Sequence, residues 1–345
     1  MNTLRLSSSH YRSVKKPKMA TKSTDNLVNN VGSPESSNVY SECVKKTNWM
    51  GQTLYQNPWK TWRNVSIVRF LRYNVWDADH SKIPSQQELD DKLPIVKGDT
   101  KKFVEPSSGV KMMWIGHASV LVQFDGLTII TDPVFSEFIV FGTHRRYRSP
   151  SCEVKDLPKI DAVLISHNHC DHLDKASVKQ LNEKYGDNLK WYAPLGLKSW
   201  LNTNGCNNVI QMDWWQEEEF STEKRTKFCC VPSQHWSKRG PIDDFKTLWC
   251  GWALIGPEHS FYFAGDTGYC EVFQQIGRKY GPFTSAAIPI GCYEPRDLMS
   301  PQHVDTEEAV KIHKDVKSEN SLGIHWVPSS SRTSITWSQG KLCRK

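Results

Sequence analysis

The six residues His167-Asn168-His169-Cys170-Asp171-His172 place five metal-competent side chains between the apolar run Ala162 to Ile165 and Asp174, a residue with the character of a helix N-cap. A buried strand that ends in a functional loop and re-enters as a helix is a unit of α/β proteins, which carry reactive side chains at the carboxyl ends of their strands. His167 and His169 are two apart and point the same way in extended chain, and a turn after them brings Asp171 and His172 to a second point nearby. That arrangement serves two cations better than one. Read as ordinary polar loop residues, so dense a group of His and Asp at this junction is left without a reason.

Four residues cannot complete two tetrahedral sites, so further donors must come from downstream. Three places qualify, each a metal-competent side chain closing a strand-like run: His235 after Cys229-Cys-Val-Pro-Ser-Gln, Asp266 after Phe261-Tyr-Phe-Ala-Gly, and His325 after Ser321-Leu-Gly-Ile. Each alone reads as a structural residue; together they repeat one pattern.

Strand-like runs begin after Gly109: Val110 to Ile115, Ser119 to Phe124, Leu127 to Thr131 and Ala162 to Ser166, with Asp125-Gly126 as a hairpin turn between the second and third. Later runs at 191–193, 227–231, 248–254, 261–264 and 286–290 alternate with helical patterns. One helix starts at the Asp174 cap, shows Val178, Leu181 and Tyr185 on one face and stops at Gly186. Another opens with Asp305 and Glu308 as a capping box and carries Ala309, Ile312, His313 and Val316 as its apolar stripe. Strand blocks broken by helices in two successive halves predict two sheets packed face to face with helices outside.

Residues 1–48 are rich in Ser, Asn and Lys, have no period, and read as a disordered tail. They hold eight Lys/Arg against three Asp/Glu, so they account for +5 of the formal +7 and leave a nearly neutral body, which argues against a nucleic-acid partner. Arg5, Arg12, Lys15 and Lys16 all precede the first acidic residue, Asp25, which keeps a mitochondrial transit segment open. Apolar runs such as Phe138 to Phe141 are far too short to cross a bilayer, so any membrane association is expected to be peripheral. Ten cysteines without CxxC spacing, and no apolar signal core, favour a reducing, intracellular setting.

His-x-His-x-Asp-His, with Thr131-Asp132-Pro133 before it and Gly265-Asp266-Thr267-Gly268 after it, resembles the metallo-β-lactamase superfamily. The stretches Trp114-Ile-Gly-His-Ala, Gln211-Met-Asp-Trp-Trp, Pro232-Ser-Gln-His-Trp-Ser-Lys-Arg, Tyr293-Glu-Pro-Arg, Gln302-His-Val-Asp-Thr-Glu-Glu-Ala-Val and Ile324-His-Trp narrow the resemblance to the N-acylphosphatidylethanolamine-hydrolysing phospholipases D, from about Tyr55 to Trp326. The resemblance implies a four-layer αββα sandwich over residues 49–326. It implies two Zn2+ ions, one on His167, His169 and His235, the other on Asp171, His172 and His325, with Asp266 bridging; nitrogen and oxygen donors suit zinc and leave iron and manganese open. It further implies a membrane phospholipid substrate, peripheral association with the cytosolic face of endomembranes, and a homodimer. Asp171 and His303 are the catalytic candidates, His303 as proton donor to the departing oxygen or else as a helix-start residue bonded to backbone. Asp132 is expected to orient a ligand histidine, and His117 either to do the same or merely to end a strand.

The chain departs from the family at three places. Cys170 stands where relatives commonly carry tyrosine, and its thiol is inert, oxidisable or a competitor for metal; the loop Phe135 to Tyr147 differs from the family's longer segment. After His325-Trp326 the Ser-rich run 327–345 has no periodic apolar positions and reads as a disordered tail foreign to the family. On that reading the sandwich is incomplete at its C-terminal end, apolar surface is exposed and His325 is loosely held. Three functions therefore compete: a zinc-dependent phosphodiesterase acting on N-acylphosphatidylethanolamine, a hydrolase of another substrate on the same site, and an inactive form.

Overall fold

The computed structural model describes residues 40–64, 67–73, 85–105, 108–139, 144–221, 223 and 225–326. Its strands are β1 Val44–Thr47, β2 Thr53–Gln56, β3 Lys111–Gly116, β4 Ser119–Phe124, β5 Leu127–Thr131, β6 Phe138–Ile139, β7 His144–Arg145, β8 Ala162–Leu164, β9 Lys190–Pro194, β10 Val209–Met212, β11 Glu217–Glu219, β12 Lys227–Val231, β13 Gly251–Ile255, β14 Ser260–Phe263, β15 Phe283–Pro289 and β16 Ser318–Ile324. Its helices are α1 Ile67–Arg72, α2 Gln86–Lys92, α3 Lys175–Tyr185, α4 Lys198–Thr203, α5 Val272–Lys279, α6 Arg296–Met299 and α7 Thr306–Asp315. Two six-stranded mixed sheets result, ordered β10-β9-β8-β5-β4-β3 and β11-β12-β13-β14-β15-β16.

Alternation along the strands explains why the sheets pair. In β4 and β5, Val120, Val122, Phe124, Leu127 and Ile129 join a core that also takes Phe228, Trp252, Leu254, Phe261 and Phe263 from the second sheet. Their neighbours Leu121 and Ile130 point the other way and join Val163, Trp191, Val178 and Leu181 in a separate core beneath α3 and α4. A strand buried on both faces reads as a continuous apolar run, which is how β4 looks in sequence. α5 and α7 lie against the second sheet, and the order of layers is helix, sheet, sheet, helix.

Local signals set the boundaries. Asp125 and Gly126 both take left-handed φ, 46° and 72°, as the tight turn between β4 and β5 requires. The Asp174 side chain accepts from the backbone N–H of Ala176 and Ser177 at the start of α3, and Asp305 and Glu308 form the reciprocal capping box of α7. His313 is half-buried rather than a core residue, with its Nδ1 2.8 Å from Ser321 Oγ.

Two expectations change. The folded part begins before residue 49, because Val44–Thr47 pairs antiparallel with Thr53–Gln56 as a hairpin. The C-terminal end is not loose: β16 runs parallel to β15 from Phe283↔Ser318 to Pro289↔Ile324, and His325, directly after it, is only 3% exposed. Trp326 then stacks on Trp114 at 5.1 Å between ring centroids, and Val310 is the one large apolar side chain exposed among the described residues after Gly251. The tails 1–39 and 327–345 lie outside the described residues.

Candidate metal centre

Every expected donor sits in a loop at a strand end on one side of the sandwich. His117 makes the β3–β4 turn, Asp132 follows β5, Ser166 to His172 follow β8, His235 follows β12, Asp266 follows β14, His303 lies between α6 and α7, and His325 follows β16. In the loop after β8 the chain leaves the sheet without regular structure through His169 and then turns, with the N–H groups of His172 and Leu173 donating to the His169 carbonyl at 3.1 and 2.8 Å. The turn brings His172 round to the second donor set, as the spacing predicts.

His167, His169 and His235 form one set. His167 Nε2 lies 2.8 Å from His169 Nδ1, which is 3.3 Å from His235 Nε2. The other nitrogen of His235, Nδ1, donates to the Gln302 carbonyl at 3.0 Å, so a neutral ring presents a lone pair at Nε2. His167 Nδ1 lies 2.8 Å from Ser166 Oγ, whose hydroxyl is 2.5 Å from Asp132 Oδ2.

The second set is built on carboxylates. Asp266 Oδ2 is 3.1 Å from Nε2 of both His172 and His325, and those two nitrogens are 3.2 Å apart. Asp171 Oδ2 stands 3.7 and 3.9 Å from the same pair. Asp266 Oδ2 is also 3.9 Å from His235 Nε2, so one carboxylate faces both sets. Asp132 accepts from His172 Nδ1 at 2.8 Å and thus orients one set directly and the other through Ser166.

Burial and neighbouring charges set the protonation of the donors. His167 and His235 are held well below the ordinary imidazole range, first by burial and then by neighbouring imidazoles. Burial alone would lower His172 too, but Asp266, Asp171 and Asp132 surround it and push it well above that range. Burial alone would raise Asp171 and Asp266; instead His172 and the adjoining histidines hold both carboxyls well below theirs. His169 Nδ1, His235 Nε2, His172 Nε2, His325 Nε2 and Asp266 Oδ2 converge within the buried centre, and imidazole and carboxylate donors aimed at shared points fit divalent ions.

His303 is brought in as well, with Nδ1 3.8 Å from Asp266 Oδ2 and its ring 5.3 Å from that of His235. Its backbone N–H donates to the Met299 carbonyl, but its Nδ1 is buried and unbonded, so the side chain faces the centre. Burial lowers its pKa to about 4 against the pull of Asp266, so the ring is neutral near pH 7.

Three further residues adjoin the assigned donors, and the His117 side chain among them bonds to the carboxylate of Asp171 rather than to a ligand histidine. His117 is 6% exposed, takes φ 54° and lies 3.0 Å from Asp171 Oδ2 through Nε2. Arg239 Nη1 donates to the carbonyls of Asn168 and Leu173, bracing the donor loop from outside. Trp236 packs edge-on against His169 at 4.8 Å. The adjacency Gln-His-Trp-Ser-Lys-Arg was a signal for the last two; nothing in sequence reveals a left-handed φ at a histidine. Cys170 is half-buried and belongs to none of the groups of converging donors among the described residues, so its thiol does not compete for the centre.

An αββα sandwich with such a centre at its strand ends defines the metal-dependent hydrolases of the metallo-β-lactamase class. A Beta-lactamase superfamily domain model matches residues 128–326. N-acyl-phosphatidylethanolamine-hydrolyzing phospholipase D 1 of Caenorhabditis elegans is 40% identical over 288 residues, which cover 79% of this chain and 80% of that protein. The chain belongs to that phospholipase D family within the superfamily, and it is a hydrolase. The mitochondrial N-acyl-phosphatidylethanolamine-hydrolyzing phospholipase D of Saccharomyces cerevisiae is 35% identical over 266 residues, 73% of this chain and 55% of that protein. Among solved structures, an isothiocyanate hydrolase from Delia radicum gut bacteria aligns with TM-score 0.52 and 20% identity over 65% of this chain and 87% of its own, a likeness of fold alone.

Proposed function

We propose that this chain hydrolyses the phosphodiester of N-acylphosphatidylethanolamine to N-acylethanolamine and phosphatidic acid, using two Zn2+ ions. In this reading His167, His169 and His235 hold one ion, Asp171, His172 and His325 the other, and Asp266 serves both. The observation that carries the proposal is the 40% identity to a relative named for this reaction, joined to the convergence of those seven side chains. Bound divalent ions supply a water-derived nucleophile near neutral pH and offset negative charge at phosphorus.

The residues of the chain supply the rest. Oxygen from water bonds to phosphorus, the phosphorus–oxygen bond to the N-acylethanolamine breaks, and the departing oxygen takes up a proton. His303 faces the centre as a neutral ring, suited to hydrogen-bond that oxygen rather than to store a proton as imidazolium. Asp132, Ser166 and the Gln302 carbonyl fix the tautomers of His172, His167 and His235, so their donor nitrogens stay aimed while the substrate changes.

A cavity of about 600 Å³ supports a lipid substrate. Its walls are largely apolar, including Ile95, Val96, Met113, Trp114 and Trp326; none of the seven assigned donors lines it, and His117, which does, bonds to Asp171 of the second set. Arg146 also lines it; burial lowers its pKa to about 10, its Nη1 donates to the Val134 carbonyl, and it has no ion-pair partner among the described residues. Apolar walls beside the Arg146 guanidinium suit an anionic amphiphile. No helix among the described residues is long and apolar enough to cross a membrane. The mitochondrial name of the yeast relative and the cationic residues ahead of Asp25 support a mitochondrial membrane over the cytosolic face of endomembranes.

The test is release of N-acylethanolamine from phospholipid vesicles by the metal-loaded protein, with His169→Ala beside it. Turnover lost in the variant is the expected result. A protein that binds two ions yet leaves this lipid intact acts on another substrate; one that binds fewer than two is the inactive form.

A further inference from the structure

His117 stands outside the donor assignment that the family resemblance implies, although a nitrogen of its ring lies within 4.8 Å of the donor atoms of Asp171, His172 and His325. Its Nε2 is 3.0 Å from Asp171 Oδ2, the oxygen that faces His172 and His325. Its carbonyl accepts the backbone N–H of His325 at 3.0 Å and the indole N–H of Trp114 at 2.9 Å. The ring lies 4.1 Å from that of His325, and the backbone is held at φ 54°, a conformation costly for most side chains and tolerated by His, Asn and Asp. One residue of the β3–β4 turn therefore clamps a carboxylate of the central loop and the backbone of the last strand, 208 positions further along.

We infer that His117 is a positioning residue for the second ion: its Nε2–H fixes the Asp171 carboxylate while its carbonyl fixes His325. The inference rests on the two-ion reading proposed above. Two facts favour positioning over direct ligation. A nitrogen at hydrogen-bond distance from a carboxylate oxygen carries the proton, which leaves Nε2 without a free lone pair. Asp171, His172, His325 and Asp266 already give the assigned second set four donors, and a hydrolytic centre keeps its remaining position for water rather than for a fifth side chain. Outer partners of this kind tune affinity strongly although they never touch the ion.

Two variants separate the donor from the backbone. His117→Asn suits the left-handed φ but places its amide nitrogen near the Nδ1 position, short of Asp171. His117→Gln fits the φ less well but carries its amide nitrogen to about the Nε2 position. Ions per chain are followed through a chelator titration for wild type and both variants, each loaded with zinc, with the melting temperature of the metal-free proteins as a check on folding. The expected result is an unchanged first ion in all three, a second ion held about 10–100-fold more weakly in His117→Asn, and substantial recovery in His117→Gln. Equal loss in both variants means that the ring itself is a ligand or that backbone shape alone matters, and either overturns the inference. Unchanged second-ion affinity in His117→Asn overturns it too. Fewer than two ions on the wild-type protein removes the two-ion reading itself, an outcome visible before any variant is compared.

Discussion

The two donor sets are built differently, although they share Asp266. The first consists of imidazoles, two of them oriented by uncharged partners, the Ser166 hydroxyl and the Gln302 carbonyl, and two of its three members lie within one extended stretch of three residues. The second mixes carboxylates and imidazoles, takes its orientation from Asp132 and His117, and needs the end of β16, the last described strand. The first set is therefore fixed by one loop and one neighbour. The second depends on the closure of the whole sandwich, because His325 reaches it only when the second sheet is complete and its end is strapped to the β3–β4 turn.

The largest effect is expected where the sets meet. Asp266→Asn should leave fewer than one ion per chain and lower turnover by several kcal/mol in barrier, on the order of a thousandfold or more; metal analysis with vesicle turnover checks it. Next come the changes that split the pair. His169→Ala should empty the first set and His325→Ala the second, each leaving one ion and each costing more than the roughly hundredfold of an outer partner. If His325→Ala empties both sets, the second is a prerequisite for the first and the proposed independence is wrong. Asp132→Asn reaches both sets through its outer contacts, so both ions should weaken by about 10–100-fold together, as read by chelator competition. The smallest effect belongs to the strap: Trp326→Ala removes a stacked pair worth about 1 kcal/mol, lowers the melting temperature by a few degrees at most, and weakens the second ion only.

The same contrast decides what the sequence makes legible. His167, His169 and the loop from Ser166 to Asp174 could be read directly, because an apolar run, a two-residue His spacing and an N-cap are local signals, whereas placing His235 with them took the family resemblance; Ser119–Phe124, Leu127–Thr131 and Lys227–Val231 are strands at the predicted bounds. β16 was harder. Only its last residues read as strand, since Ser318-Glu319-Asn320 is polar, and as the outer strand it can afford exposed side chains where β4 cannot. The expectation of a loose His325 failed for a related reason: its anchor is a backbone hydrogen bond to His117, and hydrogen bonds between chain segments 208 positions apart leave no composition signature. The β1–β2 hairpin was missed because its first strand is exposed throughout and lies in a stretch as polar as the tail before it.

The central claim is that one chain presents two adjoining donor sets around Asp266, and the count of ions per folded chain tests it most directly. Zinc measured on the wild-type protein after equilibration with a weak chelator should reach two per chain, and His325→Ala, equally folded, should reach one. A wild-type plateau at one, or a His325→Ala protein that still binds two, would contradict the account.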